Sequence, residues 1–337
     1  MKHMPYRLFI IFCMSVLSGN LMGQVSQIEI ARVELMPNEP SPYFMRDWNA
    51  VATAYDSFVY DEQKTGQHLP LVFVRPQGVN YPGRESFGLD TYVGTFSNEN
   101  GEGINVLPSL VSATLAGIDK TNQFGRNWVL MSQDYFNKAN GENLYLNNIG
   151  GHSGSDWWYD MMPNIYFYQL YDLYGPIGDA QNQFHQVADR MSGAVQAMGG
   201  SATPWTRAFM DYRAWDFLNM QPNADGVHEP EAAGAYAWLL YHAYKETGDE
   251  AYLRAAEWSM EYLINLNSNP SYELQLPYGA YAAAKMNAEL GTEYNIEKLL
   301  FWVFNRGPLR GWGTIVGTWN TFDVSGLVGE ANDGGND

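Results

Sequence analysis

A chain of 337 residues with 37 acidic against 19 basic side chains, a formal net charge of -18, is long enough to bury one large core. The negative excess repels nucleic-acid phosphates and anionic membrane surfaces by the Coulomb term that basic binders exploit, so both drop out as partners. Aromatics are 15% of residues, with 23 Tyr and 11 Trp; flat apolar faces with polar tips suit either a large helical core or the faces of sugar rings.

In chain order, Lys2, His3 and Arg7 precede the apolar run Leu8 to Leu17, and small residues follow near Gly23 and Gln24. This pattern predicts a secretory signal over residues 1–23 and an exported, periplasmic or extracellular protein. No stable membrane insertion is expected, because a run of roughly 10 residues is about half a bilayer span. Cys13, the single cysteine, follows Ile-Ile-Phe and not the small residue that lipid-anchoring signals use. The mature chain is therefore expected to carry no thiol for a disulfide, a thiolate metal site or a nucleophile. Residues 24–44 read as an extended N-terminal segment and 45–337 as one domain.

From about Met45 the chain falls into helix-length segments separated by Gly, Pro, Asn and Asp. Trp48, Val51, Ala52, Tyr55, Phe58 and Val59 repeat at helical spacing, as do Leu107, Leu110, Val111, Thr114, Leu115 and Ile118. Further starts are predicted near Asn127, Asp156, Asp179, Pro230, Glu250, Pro277 and Ile296. Residues 60–105 and 268–276 are turn-rich and read as long loops or short irregular strands. Pro230 suits a first helical position and Gly248 a C-terminal cap. In the helix after Gly248, Tyr252, Leu253, Ala256, Met260, Leu263 and Ile264 form one apolar stripe, the mark of an outer helix with one wet face. Between Asp156 and Tyr174 the aromatics cover every side, which predicts a helix buried all round. One-faced and all-round helices in alternation predict an all-α fold: an (α/α) toroid of helical hairpins with long irregular loops.

The run His228–Leu263, HEPEAAGAYAWLLYHAYKETGDEAYLRAAEWSMEYL, resembles the hairpins of the (α/α)6-barrel glycosidases, the six-hairpin superfamily that includes unsaturated glucuronyl hydrolases. Its portion TGDEAYLRAAEWSMEYL is especially typical of their outer-helix turns. The run SGSDWWYDMMPNIYFYQLYDLY, Ser153–Tyr174, resembles the inner-helix segment of exported Bacteroidetes-type proteins in that superfamily, some linked to uronic-acid glycans. About nine or ten helices are counted against the roughly twelve that six hairpins need. The barrel is thus expected to be incomplete within this sequence, truncated at its C-terminal side.

The resemblance implies a glycoside hydrolase acting on a polysaccharide or oligosaccharide, uronic-acid-containing glycans among the candidates. Such hydrolysis needs two carboxyl groups facing the scissile bond, one as acid and one as base or nucleophile. Carboxylates at the starts of inner helices and in their loops are the places to look. Asp156 leads, between a Gly-rich loop and Trp157-Trp158; the competing reading of Ser153 to Asp156 is a capping box. Asp160 lies one turn further on the same face, with His152 and Trp157 as substrate contacts. Glu229 and Glu231 bracket Pro230, where a helix N-terminus favours negative charge for purely structural reasons; the functional alternative puts His228, Glu229 or Glu231 at the barrel mouth. The last cluster holds Trp312, Trp319, Asp323, Glu330 and Asp333 in a Gly-rich stretch, with Arg306 or Arg310 to pair with a uronate carboxylate; its bland alternative is a disordered tail. Asp156, Glu231, Glu330 and Asp333 are the expected catalytic carboxyls. His152, Trp157, Asp160, His228, Glu229, Arg306, Arg310, Trp312 and Trp319 are the expected substrate contacts. No metal or other cofactor is expected, and no serine-elbow, phosphate-loop or zinc-helix motif occurs. The alternatives are a polysaccharide lyase on a related toroid, using a Tyr or His base, and a non-catalytic glycan-binding helical protein.

Overall fold

The computed structural model describes residues 27–37, 45–90, 92–93, 96–97, 101–311, 313–329 and 333–334. The expected signal segment with Cys13, and also Trp312 and Glu330, lie outside the described residues.

Among the described residues the chain is mostly helical with little sheet. The helices are α1 (Trp48–Val59), α2 (Gly103–Leu115), α3 (Trp128–Ser132), α4 (Trp157–Tyr174), α5 (Ala180–Ala197), α6 (Ala232–Thr247), α7 (Glu250–Ile264), α8 (Leu276–Leu290) and α9 (Ile296–Phe304). Several starts are set by a side chain that accepts from an otherwise orphaned N–H of the first turn. Asp47 accepts from Ala50 N at 3.0 Å, Asn127 from Leu130 N at 2.8 Å, Asp249 from Ala251 N at 2.8 Å and Asn295 from Lys298 N at 2.9 Å. Gly248 and Gly291 end α6 and α8 in the left-handed conformation.

The helices form two layers. In one, α2, α4, α6 and α8 stand in a row, each packed against the next; behind them α5 packs on α4, α6 and α7, α7 packs on α6, and α9 packs on α8. Among the described residues, six two-stranded antiparallel sheets decorate this frame: β1 (Val72–Arg75) with β2 (Ser86–Leu89), β3 (Tyr92–Val93) with β4 (Phe96–Ser97), β5 (Ser201–Ala202) with β6 (Trp205–Thr206), β7 (Ala214–Asp216) with β8 (Gln221–Asn223), β9 (Gly313–Thr314) with β12 (Val328–Gly329), and β10 (Thr318–Trp319) with β11 (Phe322–Asp323). The turn-rich segment 60–105 thus does contain short strands. In the N-terminal segment, Val33–Leu35 forms a 3-10 turn, and Arg32 reaches Thr314 O and Asp333 Oδ1, both at 2.6 Å. No helix of the described residues is long and apolar enough to cross a membrane.

Three local expectations are corrected. Asp156, not Ser153, caps α4, accepting from Trp158 N at 2.9 Å, because the Ser153 hydroxyl is committed to Glu142 at 2.8 Å. Helix α6 begins at Ala232, two residues beyond Pro230, since Pro230 and Glu231 form a tight turn in which Ala232 N bonds Glu229 O. Helix α4 is not buried on every side: Tyr159 is exposed, and Tyr166 and Gln169 are only half-buried. Spaced by seven and three residues, these side chains share one face of the helix.

Helices α6 and α8 cross glycine to glycine. A Cβ on Gly234 would lie 3.1 Å from Gly279 Cα, and one on Gly279 would lie 2.8 Å from Gly234 Cα and 2.6 Å from Leu263 Cδ2. This bare contact lets the two N-termini, each preceded by a glutamate, approach one another.

Candidate active site

The starts of α4, α6 and α8 each bring an acid to the same place. Asp156 caps α4, Glu229 and Glu231 precede α6, and Glu273 precedes α8. Carboxylate oxygens of Asp156, Glu229 and Glu273 all lie within 4.8 Å of one another. Helix N-termini favour nearby negative charge, which offsets part of the cost of gathering acids here.

One cation serves two of these acids. Arg213, just ahead of β7, donates through Nη2 to Asp156 and through Nη1 to Glu229. Arg310 donates through Nη1 to Glu273 Oε1 at 2.6 Å. The ring of Tyr272 sits between the two guanidinium groups, 5.6 Å from Arg213 and 4.8 Å from Arg310. Glu231 stands behind the cluster, fully buried; it accepts from the N–H of Glu273, and from Leu276 N at 3.2 Å, and so shapes the turn that presents Glu273.

Burial sets the proton affinities here. It pushes Glu229 up to about 9, with the nearby charge of Asp156 adding to the effect and Arg213 opposing it. Burial likewise raises Glu273 to about 7, again reinforced by Asp156 and opposed by Arg310 and Arg213. Glu231 is also raised by burial to about 7, against the N–H groups it accepts. The physical reason is a shortage of positive charge and water: one guanidinium cannot neutralise two carboxylates, so the more deeply buried one keeps its proton. Oε2 of Glu229 and Oε2 of Glu273 are both buried without a hydrogen-bond partner. Glu273 is therefore an acid held protonated to neutral pH, a few ångströms from a second carboxyl group, which is the equipment of general acid catalysis. A trio at this spacing could also clasp a cation. Arg213, already bonded to two of its members, fills that role with a fixed positive charge and would have to be displaced.

The remaining sequence candidates are distributed as follows. Asp160 is buried and accepts from Gly154 N at 2.8 Å; burial raises its pKa well above the ordinary value. It orders the loop before α4 and does not join the trio. Trp157 is fully buried, its Nε1 donating to Tyr212 O at 3.0 Å and its ring edge-on to Tyr236, so it is core. His152 is exposed, with Nδ1 3.1 Å from Glu142 Oε1. His228 Nδ1 lies 3.1 Å from Asp211 Oδ1, and its Nε2 lies 3.1 Å from Ala224 O. Arg306 bonds Asp333 at 2.9 Å and Gly311 O at 3.2 Å. Asp333 also accepts from Arg32 at 2.6 Å and Val316 N at 2.8 Å. These contacts, working against partial burial, lower Asp333 to about 2. Asp323 is exposed and accepts from Ser325 N at 3.0 Å, and Trp319 lies in a short hairpin, half-buried. Of the C-terminal group, Arg310 reaches the trio, through Glu273.

Sequence reasoning missed Arg213, Tyr272 and Glu273. Glu273 obeys the rule that singled out Asp156, an acid just ahead of an inner helix start, and applying that rule to the start near Pro277 would have found it. Arg213 lies in a stretch without helical periodicity, and nothing local marks it. A hollow of about 580 Å³ lies elsewhere, between α1, α2 and β2. Two acids line it, Asp90 and the buried Asp56, the latter paired at 2.8 Å with the fully buried Lys120. Comparison with protein-family models, with curated proteins and with solved structures gives no match for this chain.

Proposed function

We propose that this protein is a glycoside hydrolase acting on a polysaccharide or oligosaccharide, built as an incomplete (α/α) toroid whose inner row is α2, α4, α6 and α8. The observation that carries the reading is the pairing of Asp156 with Glu273. Their oxygens lie within 4.8 Å, and burial keeps one of the two protonated to about 7. That separation belongs to the class of about 5 Å, in which one carboxylate attacks the sugar and the configuration is retained.

In this mechanism Glu273 gives its proton to the glycosidic oxygen as the C–O bond breaks, and Asp156 attacks the anomeric carbon to form a glycosyl ester. Glu273, now ionised, takes a proton from water, which displaces Asp156 and releases the sugar. Arg213 holds Asp156 in place, while Glu229 remains neutral and adds no repulsion. Arg310, half-buried beside the trio, is placed to meet a substrate carboxylate, which favours uronic-acid glycans.

The test is release of reducing ends from a panel of uronic-acid and neutral oligosaccharides by the wild type, Asp156→Asn and Glu273→Gln. Activity on one class, lost in both variants while the folded state persists, is the expected result; undiminished hydrolysis by either variant would refute it. Tyr272 between two guanidinium groups favours a second reading, a lyase in which its phenol takes the proton beside a uronate. An unsaturated, ultraviolet-absorbing product in place of a hydrated one would select that reading.

A further inference from the structure

The inner row carries a second feature, on the helix faces that its neighbours leave uncovered. Away from the trio, Trp238 and His242 of α6, Tyr278, Tyr281 and Lys285 of α8, and Gln169 and Asp172 of α4 line two adjoining recesses of about 380 and 110 Å³ that share Trp238 and Tyr281. Trp238 and Tyr278 meet edge to face at 5.5 Å, and Tyr281 is 58% exposed. The polar groups sit beside the rings: His242 Nε2 lies 2.9 Å from Asp172 Oδ1, and Gln169 bonds the Tyr278 hydroxyl. Flat apolar faces bordered by short-range donors and acceptors match a pyranose ring, whose C–H face is apolar and whose rim is hydroxylated.

The face of α4 that carries Gln169 also carries Tyr166 and, toward Asp156 at the helix start, Tyr159. Tyr159, three residues beyond Asp156, lies on the open face of α4; burial raises its phenol, with the charges of Glu102, Asp156 and Glu273 adding to the effect and Arg310 opposing it. Tyr166 continues the same face two turns on and neighbours Tyr278. Trp238 and His242 stand seven and eleven residues beyond Glu231, on the order of 10 and 16 Å along the axis of α6.

We propose that the track from Tyr159 through Tyr166 to Trp238, Tyr278 and Tyr281 holds sugar units remote from the bond being cut, so that the substrate is an extended oligosaccharide or polysaccharide chain and not a disaccharide. This deepens the hydrolase reading and rests on it for the position of the reacting bond, but the track's binding is measurable without turnover.

The experiment titrates full-length Glu273→Gln protein with oligogalacturonide and cello-oligosaccharide ladders, following tryptophan fluorescence and heat, and repeats it in Trp238→Ala and Tyr281→Ala backgrounds. The expected result is affinity that rises with chain length for one ladder, a change in tryptophan emission, and a loss of tenfold or more for the longer members in both aromatic variants. Affinity for the disaccharide should be unchanged. Affinity independent of length, or length dependence untouched in Tyr281→Ala, whose exposed side chain is not needed for folding, overturns the proposal. Length-dependent binding in a protein that hydrolyses nothing would leave the track standing while removing the hydrolase reading.

Discussion

Two of the clusters that combine aspartate or glutamate with arginine behave in opposite ways. At the C-terminal hairpins, two cations, Arg32 and Arg306, share one acid, Asp333, which is 44% exposed and held down near pH 2. At the helix starts, two arginines serve three acids with little water, and two of those acids are raised to about 7 and about 9. The first cluster is a clip that ties Arg32 of the N-terminal segment to the C-terminal hairpins. The second keeps protons on buried carboxyl groups at the helix starts. The ratio of cations to acids, with burial, separates the two more reliably than the presence of an acid in a Gly-rich loop.

Substitution sharpens the contrast. Glu273→Gln should lower hydrolysis by about a hundred- to ten-thousand-fold, the usual contribution of a positioned acid, whereas Asp333→Asn should leave the rate within about twofold of wild type. Equal losses in the two variants, measured as initial rates on one oligosaccharide, would erase the distinction.

The next largest effect concerns the frame. Gly279→Ala inserts a methyl group 2.8 Å from Gly234 Cα. It should cost about 1–3 kcal/mol by overpacking and reduce activity too, because α6 and α8 carry two of the trio's members. A thermal melt and a rate assay on the same sample check this; a destabilised variant with full activity would show that the helix crossing does not set the site.

The pH dependence should have opposite signs in the two clusters. Glu229 and Glu273 bind protons more tightly folded than unfolded, so their contribution is complete below about pH 4.5 and is lost as pH rises toward about 9 for Glu229 and about 7 for Glu273. The melting temperature should therefore decline from pH 5 to 9, and Glu229→Gln should flatten that decline. Asp333 behaves in reverse: its contribution is present above its ordinary value of 3.8 and disappears as pH falls toward about 2. Asp333→Asn should remove that acid-side loss, the smallest effect of the series because the group is well solvated. Melting curves across this pH range, showing no change of slope in either variant, would contradict both assignments.

Much of the frame was readable along the chain because helix periodicity and caps are local. Asp47, Asn127, Asp156, Asp249 and Asn295 each mark a helix start within three residues of the N–H they accept. The candidate site was half readable for the same reason: Asp156 and Glu229 announce themselves beside helix starts. Arg213 does not, since its partners lie 57 and 16 residues away and only the packing of β7 against α4 brings them together. Trp157 and Asp333 misled in complementary ways. An aromatic beside an acid looks like a sugar platform until burial shows it to be core, and an acid in a Gly-rich stretch looks catalytic until two arginines pair with it.

The most direct test of the account is a titration of the Glu273 carboxyl, followed by carbon NMR as the difference between wild-type and Glu273→Gln spectra. The account predicts a midpoint near 7, raised from the ordinary 4.5 by burial and by Asp156. A midpoint at or below 4.5 would show that Glu273 is an ionised partner of Arg310, leaving the site without its acid.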